Sequence, residues 1–318
     1  MFLGRAVARA ARETGHDVLC AARGESGAVP ENVEFQRIDR DDPATLAALD
    51  GEFDAVVDVS RIPRHVRSAV EVLGDRAGHW VFVSSCSVYA DQATPGQTPA
   101  TAPVVEPAGP DTAETMENYG PNKAACELAL PPGSFICRAG LIVGPEDASN
   151  RFSYWVSRLE RGGEILAPGS PADAVQWVDV RDLAQWLVLA AETRLGGAFD
   201  GISTPATRLD LLHGIASGIG VEPDFTWVDQ DFLAEQGVEP WMGERSLPMW
   251  LPLPEYAGFM ARDTSASLEA GLTIRSIADT ARDTLAWLAT GPQVAMRSGI
   301  TPSDESAVLA AWHNRPRT

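Results

Sequence analysis

The feature that most constrains the fold is an alternation of short apolar segments with helix-like segments through the first half of the chain. Strands are predicted at residues 17–22, 33–39, 53–59, 80–85 and 135–138, with a further extended run at 141–145. Helices are predicted at 5–14, 43–49, 63–74 and 118–130, and a Pro- and Gly-rich surface loop at 91–115. Because short apolar strands alternating with amphipathic helices form parallel sheets covered on both faces, we predict an α/β fold with a doubly wound parallel sheet.

A Tyr-x-x-x-Lys pair and a serine supply the candidate chemistry. Tyr119 and Lys123 lie four residues apart on a predicted helix, so both can face one cavity. A nearby ammonium group should lower the tyrosine pKa, and such a phenol can exchange a proton with a carbonyl or alcohol oxygen while hydride moves at carbon. Ser85 ends a predicted strand at the sheet edge where ligands bind. Either segment alone also fits a helix surface or a serine-rich turn, and their joint occurrence favours catalysis.

These segments resemble the extended short-chain dehydrogenases/reductases, and more narrowly the NAD-dependent epimerase/dehydratase family. The matching segments are Phe2-Leu3-Gly4, Val83 to Tyr89, Tyr119 to Lys123, Arg138 to Pro145 and Trp177 to Ala184. The resemblance covers residues 1–190 well and the remainder loosely. It implies a Rossmann-like NAD(P)-binding domain over 1–150, and a smaller, mainly substrate-binding region over 151–318 with parts returning to the sheet.

The resemblance also assigns roles to individual residues. Ser85 would polarise the substrate oxygen, Tyr119 would be the acid/base, and Lys123 would lower the tyrosine pKa and bind the nicotinamide ribose. Asp39 would meet the adenine, or be a turn residue. The cofactor-binding residues implied are Gly4, Arg23, Asp39, Arg40, Val59, Ser60, Val83, Ser84, Tyr119, Lys123, Ala139 and Leu141.

The first strand and most of the glycine-rich turn of such a sheet do not precede the helix at residues 5–14. Gly4 would be the last glycine of that turn. Since a central parallel strand is buried on both faces, its loss is costly. We therefore expect the natural protein to start upstream, with Met1 an internal methionine.

The coenzyme preference is predicted from the loop that follows the strand at residues 17–22, which corresponds to the second strand of the family. Family members that prefer NAD place an acidic residue there, whereas this chain has Arg23, which suits a 2′-phosphate. We predict NADP as cofactor, with NAD as the alternative. Arg23 can also be an ordinary solvated arginine.

Two departures from the family pattern bear on the substrate. Val175 stands where nucleotide-sugar members carry a phosphate-binding arginine, and Leu141 stands where they carry asparagine. Both changes remove polar partners of a diphosphate, and a buried diphosphate without cations is costly. Arg151 and Arg158 could substitute. The six tryptophans between residues 150 and 251 suggest a more apolar substrate, or else the core of the second region.

Composition narrows the class of protein. The net charge of −19 disfavours nucleic acid as a partner, because such binders present a basic face. There is no apolar run long enough for a membrane span and no secretion signal at the N-terminus, which predicts a cytoplasmic protein without membrane contact. The four cysteines form no CxxC pair, so neither a metal site nor a disulfide framework is predicted.

The leading functional prediction is an NAD(P)-dependent reductase/dehydrogenase acting on a small carbonyl or alcohol. A close alternative is an epimerase/dehydratase, in which the hydride returns to the same molecule. From another class, the chain could be a non-catalytic cofactor sensor or an RNA-binding relative. The sensor is disfavoured by the intact set of Ser85, Tyr119 and Lys123, and the RNA-binding relative is disfavoured by the negative charge. The resemblance further implies a homodimer formed through helices that flank the sheet.

Overall fold

A computed structural model describes residues 2–25, 27–110, 112–291 and 297–315. Met1, on which the expectation of an upstream start rests, lies outside the described residues. The helices are α1 (Phe2–Glu13), α2 (Pro43–Ala47), α3 (Pro63–Leu73), α4 (Tyr119–Leu128), α5 (Arg151–Glu160), α6 (Val180–Thr193), α7 (Arg208–Ile219), α8 (Gln230–Glu235), α9 (Ser265–Glu269), α10 (Ile277–Ala289) and α11 (Pro302–Asn314).

The strands of the described residues are mostly short. They are β1 (Leu19–Ala22), β2 (Glu34–Arg37), β3 (Val56–Asp58), β4 (Trp80–Ser85), β5 (Phe135–Ala139), β6 (Ile142–Val143), β7 (Glu164–Pro168), β8 (Ala174–Val175), β9 (Val178–Asp179), β10 (Gly197–Gly201), β11 (Ala206–Thr207), β12 (Asp224–Val228), β13 (Glu239–Pro240) and β14 (Ser246–Leu247).

The principal sheet has four parallel strands in the order β10-β5-β4-β3. β1 and β2 form a separate parallel pair. Within the described residues, no backbone pairing joins β1 to β3, so the β1–β2 pair and the principal sheet are separate hydrogen-bonded units. The predicted α/β class and parallel strand direction are confirmed, and the division into two sheets was not predicted.

The side chains of β4 alternate between two hydrophobic layers, which is why helices cover both faces. Val81 and Val83 belong to a cluster with buried residues of α1 and α6. Trp80 and Phe82 belong to a cluster with buried residues of α3 and α4. Because successive strand residues point to opposite faces, a six-residue buried strand of this kind specifies a doubly wound arrangement.

The predicted strand at 80–85 forms in full, whereas the one at 53–59 is shorter than predicted. The run 53–59 forms only Val56–Asp58, and 80–85 forms a strand throughout. Phe53 makes an isolated parallel bridge to Ala77, and the continuous ladder begins where Val56 pairs with Trp80, the first residue of β4. Apolar sequence favours a strand, but a partner is needed to supply its hydrogen bonds.

The second half of the chain contains a separate hydrophobic cluster, which includes Trp155 and Trp250. Helices α5, α7 and α10 contribute buried residues to it. Two elements beyond residue 150 instead form part of the first-half structure. Strand β10 pairs with β5 in the principal sheet, and helix α6 packs beside α1 on one face of that sheet. Parts of the second half therefore complete the principal sheet and its helical covering, and the domain boundary at residue 150 stays a prediction.

No helix of the described residues is both long enough and apolar enough to cross a membrane. Within the same ranges, no group of three or more His, Cys, Asp or Glu side chains is placed to hold a metal ion.

Candidate active site

The candidate site lies at the carboxyl end of β4, where α4 begins. Ser85 is the last residue of β4, and its hydroxyl accepts a hydrogen bond from the Ser87 backbone N–H at 3.1 Å. Gly120 allows α4 to approach this turn, because a Cβ at that position would lie 2.3 Å from the Ser87 carbonyl oxygen. The glycine therefore brings the first turn of α4, which starts at Tyr119, against the serine turn.

Lys123 is one turn further along α4 and is buried, with 3% of its surface exposed. Its ammonium donates to the backbone carbonyl oxygens of Val83 at 2.5 Å and Ser60 at 2.7 Å. It also lies 4.7 Å from the centroid of the Phe82 ring. Burial lowers the pKa of Lys123 to about 8, since the charged form is the one that loses hydration.

Tyr119 has a raised pKa, in contrast to the expectation from sequence. Burial of the phenol is the largest cause, and a hydrogen bond with Ser85 and the charge of Arg61 act to lower the pKa. The hydrogen bonds of the Lys123 ammonium go to the two backbone carbonyls. In this arrangement of the side chains the pKa of the phenol is raised, and not lowered as expected, so the phenol stays protonated at neutral pH.

A small cavity lies beside the phenol. It is lined by Arg61, Glu114, Thr115, Tyr119 and Asn122. The Glu114 carboxylate pairs with Arg64 at 3.3 Å. The cavity thus brings one cation and one carboxylate next to the candidate acid/base, and sequence analysis did not single out Arg61 at all.

Glu127 holds α4 against two strands. Its carboxylate accepts from the Ser84 hydroxyl at 2.5 Å, and from Arg138 Nε at 3.1 Å and Nη2 at 2.7 Å. Tyr119, Lys123 and Glu127 follow at four-residue spacing, so they share one helix face. That spacing was a usable sequence signal for Glu127, which the sequence analysis missed.

A second buried network lies behind the site. The Tyr89 hydroxyl donates to Asp200 at 2.6 Å, and Arg262 Nε donates to the same carboxylate at 2.7 Å. The guanidinium groups of Arg138 and Arg262 lie 4.9 and 3.5 Å from the centroid of the Tyr89 ring. Because Asp200 belongs to β10, this network ties the sheet to the segment around residue 262, and no local pattern indicated it.

Each residue assigned to the adenine side already has a partner within the protein. Arg40 Nη1 donates to both carboxylate oxygens of Asp58, at 2.9 and 3.0 Å, and Asp58 is fully buried. The Asp39 carboxylate accepts from the backbone N–H of Asp41 at 3.0 Å, which is a turn contact. Arg23 pairs with Glu25 at 3.3 Å, and both side chains are exposed.

Of the remaining assigned residues, two border the candidate site and three have other surroundings. Ala139 is paired with Ser85 across β4 and β5, and Ser60 accepts from Lys123, so both border the candidate site. Gly4 lies in the first turn of α1, where an added Cβ would meet nothing within 4 Å. Leu141 lies in the hydrophobic cluster of the second half, with 2% of its surface exposed. Val59 packs against the layer formed by α1 and α6.

The donor set fits the nicotinamide half of a dinucleotide. A buried ammonium group, the ends of β3 and β4, and the hydroxyls of Ser85 and Tyr119 meet at one sheet edge, which is where such cofactors bind in open α/β sheets. Lys123 is the residue that would hold the ribose, because its hydrogen bonds can be exchanged for ribose hydroxyls.

This fold and this site together define an extended short-chain dehydrogenase/reductase. The chain belongs to the NAD dependent epimerase/dehydratase family, whose model matches residues 2–200. By that membership it is an enzyme, as predicted. No curated protein sequence matches the chain.

Solved structures share the fold at low sequence identity. A putative epimerase from Burkholderia cenocepacia J2315 is 18% identical, with 91% of this chain and 95% of that chain covered and a TM-score of 0.65. The Bordetella bronchiseptica enzyme WbmH, solved in complex with NAD+, is 18% identical over 91% and 96%, with a TM-score of 0.61. UDP-glucose 4-epimerase from Thermotoga maritima, solved with UDP-glucose, is 15% identical over 91% and 96%, with a TM-score of 0.63.

Proposed function

We propose that the chain is an NAD(P)-dependent oxidoreductase that interconverts a carbonyl and an alcohol on a small substrate. The observation that carries the proposal is the packing of the first turn of α4, where Tyr119 lies, against the Ser85 turn, one helical turn from the buried Lys123 ammonium. In the reducing direction, the substrate oxygen would accept hydrogen bonds from the Ser85 and Tyr119 hydroxyls. The phenol would then donate its proton to that oxygen.

The bound cofactor supplies or accepts the hydride, and the chain's own residues manage the proton and the position of the substrate. A phenol with a raised pKa is present as the acid at neutral pH, which suits the reducing direction. Lys123 holds the ribose and keeps a positive charge behind the phenol when its amine is protonated.

NADP is the proposed cofactor, with NAD as the alternative. Arg23 supports NADP because its guanidinium is exposed next to β1 and its partner Glu25 is equally exposed, so a 2′-phosphate can displace the carboxylate. Comparison of KM for NADPH and NADH tests this. In Arg23→Ala we expect the KM for NADPH to rise about tenfold, as for loss of one charged hydrogen bond, with that for NADH unchanged.

A second candidate is an epimerase/dehydratase in which the hydride returns to the same molecule. The specific observation in its favour is Glu114, a carboxylate that lines the cavity next to Tyr119 and could act as a second acid/base. Val175 and Leu141 are both buried in the hydrophobic cluster of the second half, which argues against a sugar nucleotide whose diphosphate binds at these positions.

The test is absorbance of the reduced nicotinamide with a panel of ketones and aldehydes. Net consumption that is lost in Tyr119→Phe supports the oxidoreductase, and product formation without net consumption supports the epimerase/dehydratase. Tight cofactor binding without any turnover would overturn both and favour a sensor.

The proposal also includes a cytoplasmic location, a small-molecule substrate, and a homodimer formed through helices flanking the sheet. It divides the chain into a cofactor-binding part over 1–150 and a mainly substrate-binding part over 151–318. Light scattering of the purified protein measures the oligomeric state directly.

A further inference from the structure

Arg151 begins α5 and holds its guanidinium on an aromatic face. The group lies 4.8 Å from the centroid of the Trp241 ring, and its Nε donates to the Ser149 hydroxyl at 3.2 Å. Trp241 itself packs edge-on against Phe259, with ring centroids 5.9 Å apart. The side chain of Arg151 is half-buried, so its charge is held in a fixed and partly dehydrated position.

Within the described residues, no carboxylate lies within ion-pair distance of Arg151. Asp147, the nearest acidic neighbour in sequence, is occupied by Ser149, whose backbone N–H and hydroxyl donate to it at 2.9 and 2.6 Å. Scarcity of acid is not the reason, because the chain carries 44 acidic and 25 basic residues. The buried arginines of the same half do have carboxylate partners: Arg158 pairs with Glu305 at 2.6 Å, Arg208 with Asp173 at 3.8 Å and Arg262 with Asp200 at 2.7 Å.

The unpaired guanidinium is also held by an unusual backbone. Trp241 has φ of +70° and Asn150, which precedes Arg151, has φ of +59°. The left-handed region is uncommon for residues other than glycine, and for a bulky residue such as tryptophan it costs about 1 kcal/mol or more. Asparagine adopts this region readily, so the strained residue of the two is Trp241, which carries the guanidinium.

Packing places Arg151 near the candidate acid/base. Phe259, which packs against Trp241, also packs against the hydrophobic cluster that contains Cys86 and Ala124, the residues next to the candidate serine and lysine.

The charge of Arg151 lowers the pKa of the Tyr119 phenol, and burial lowers the pKa of Arg151. Arg61 adds a second cation, since it lines the cavity beside Tyr119. The Asp147 charge acts on Arg151 from beyond ion-pair distance, so the cation keeps part of its dehydration cost. An anion placed between Arg151 and the phenol would offset that cost.

We propose that the substrate carries one anionic group, a carboxylate or a phosphate, which pairs with Arg151 while the reacting carbonyl lies at Tyr119. This proposal rests on the proposed function and names the substrate class for the same site. A planar guanidinium can bind either group through two parallel hydrogen bonds, and the Trp241 face fixes the plane in which they are offered. Arg158 is excluded from this role because Glu305 already holds it.

The kinetic test uses ketones in matched sets: one neutral, one with a carboxylate, and one with a phosphate ester at the same distance from the carbonyl. The variants are Arg151→Met and, as a matched control, Arg315→Met, since Arg315 also stacks on a tryptophan, Trp312, at 3.0 Å but is exposed. In Arg151→Met we expect KM for the preferred anionic ketone to rise at least about tenfold, as for loss of a charge-assisted pair, with kcat changed far less. For neutral ketones we expect Arg315→Met to match the wild type, and Arg151→Met to change KM far less than it does for the anionic ketone.

A binding measurement without turnover separates the two proposals. Inorganic phosphate and acetate are titrated into the wild-type protein and both variants, with tryptophan fluorescence as the readout. Saturable quenching in the wild type and in Arg315→Met, lost in Arg151→Met, supports the anion site. Equal titration curves in Arg151→Met and the wild type, or equal KM values for charged and neutral ketones, overturn it and leave the oxidoreductase intact. Failure of every ketone to react, with the anion titration retained, overturns the proposed function instead.

Discussion

At the scale of single residues, one cause acts on the catalytic pair in opposite senses. Burial disfavours whichever form is charged, so it raises the pKa of the Tyr119 phenol and lowers that of the Lys123 ammonium to about 8. The placement of Ser85, Tyr119 and Lys123 at one edge of the sheet could be predicted from spacing and order. Their pKa values could not, because these depend on which backbone carbonyls the ammonium finds and how deeply the phenol is covered.

A pH dependence follows from this pair. In the reducing direction Tyr119 stays protonated up to about pH 10, since its pKa is raised above the ordinary tyrosine value. Lys123 loses its proton as the pH rises through about 8, so kcat/KM for carbonyl reduction should fall above that pH. Steady-state rates across the alkaline range measure this.

The matched variant is Lys123→Arg, whose guanidinium remains charged throughout the range. Its rate should be lower than that of the wild type but level with pH, and the NMR resonance of the wild-type lysine side chain should titrate near pH 8. A wild-type profile that stays level to pH 10 would contradict this assignment.

At the scale of elements, α4 is fixed to the sheet by polar contacts at successive turns. Lys123 binds backbone carbonyls at the carboxyl end of β4, and Glu127 binds Ser84 of β4 and Arg138 of β5. These contacts set the height of the helix on the sheet and therefore the distance between Tyr119 and Ser85. Glu127 acts on the chemistry as a positioning residue.

Replacement of this carboxylate should affect stability and rate together. Glu127→Gln leaves the Arg138 guanidinium buried without its counter-ion, and breaking a buried ion pair typically costs about 3 kcal/mol or more of unfolding free energy. We also expect kcat to fall more than KM changes, and Glu127→Asp to recover part of the rate. Urea unfolding and steady-state kinetics measure the two effects.

Glu192→Gln is the control for that experiment, because Glu192 pairs with His16 on the surface at 2.7 Å. An exposed pair contributes about 1 kcal/mol or less. Equal losses of unfolding free energy and of kcat in the two variants would show that Glu127 does not position α4 for the reaction.

The separate β1–β2 pair predicts uneven protection of the backbone. Among the residues that the structure describes, β1 pairs with β2 on one side only, whereas β4 and β5 are each hydrogen-bonded on both sides. We therefore expect amides in peptides covering residues 19–37 to exchange with deuterium faster than those in 80–85 and 135–139. Equal protection across the three peptides, measured by mass spectrometry under native conditions, would contradict the division of the sheet.

Element positions in the first half were predictable because apolar runs and helix faces are local patterns. The 80–85 strand formed as predicted. The lengths of β1, β2 and β3 were not predictable, since a strand end depends on its neighbour. The contacts that complete the site were equally hidden: Arg40 with Asp58, Asp200 with Arg262, and Arg151 with Trp241 each join residues far apart in sequence.

At the scale of the whole molecule, the second half was the hardest to predict. Its strands are short, and β7 pairs with β12 and β6 with β9 across long intervals of sequence. Sequence analysis left open whether its tryptophans form a core or line a substrate site. Trp155 and Trp250 lie in a hydrophobic cluster, and the ring of Trp241 packs against Arg151 near the candidate site.

The net charge of −19 makes self-repulsion a property of the entire chain. Raising ionic strength from about 0.01 M to about 0.15 M shortens the Debye length from about 30 Å to about 8 Å. The midpoint of thermal unfolding should therefore rise over this range, with sodium chloride and potassium chloride giving the same shift. A midpoint that falls on addition of either salt would show that the favourable surface ion pairs outweigh the repulsion.

The two-part sheet gives ligand binding a mechanical consequence. The nicotinamide side of the site belongs to β4 and β5, whereas the residue proposed to select the coenzyme, Arg23, follows β1 in the other hydrogen-bonded unit. A dinucleotide that touches both ends would link two units that no strand pairing joins within the described residues. Its arrival should stiffen the molecule most at β1 and β2, far from the atoms that react.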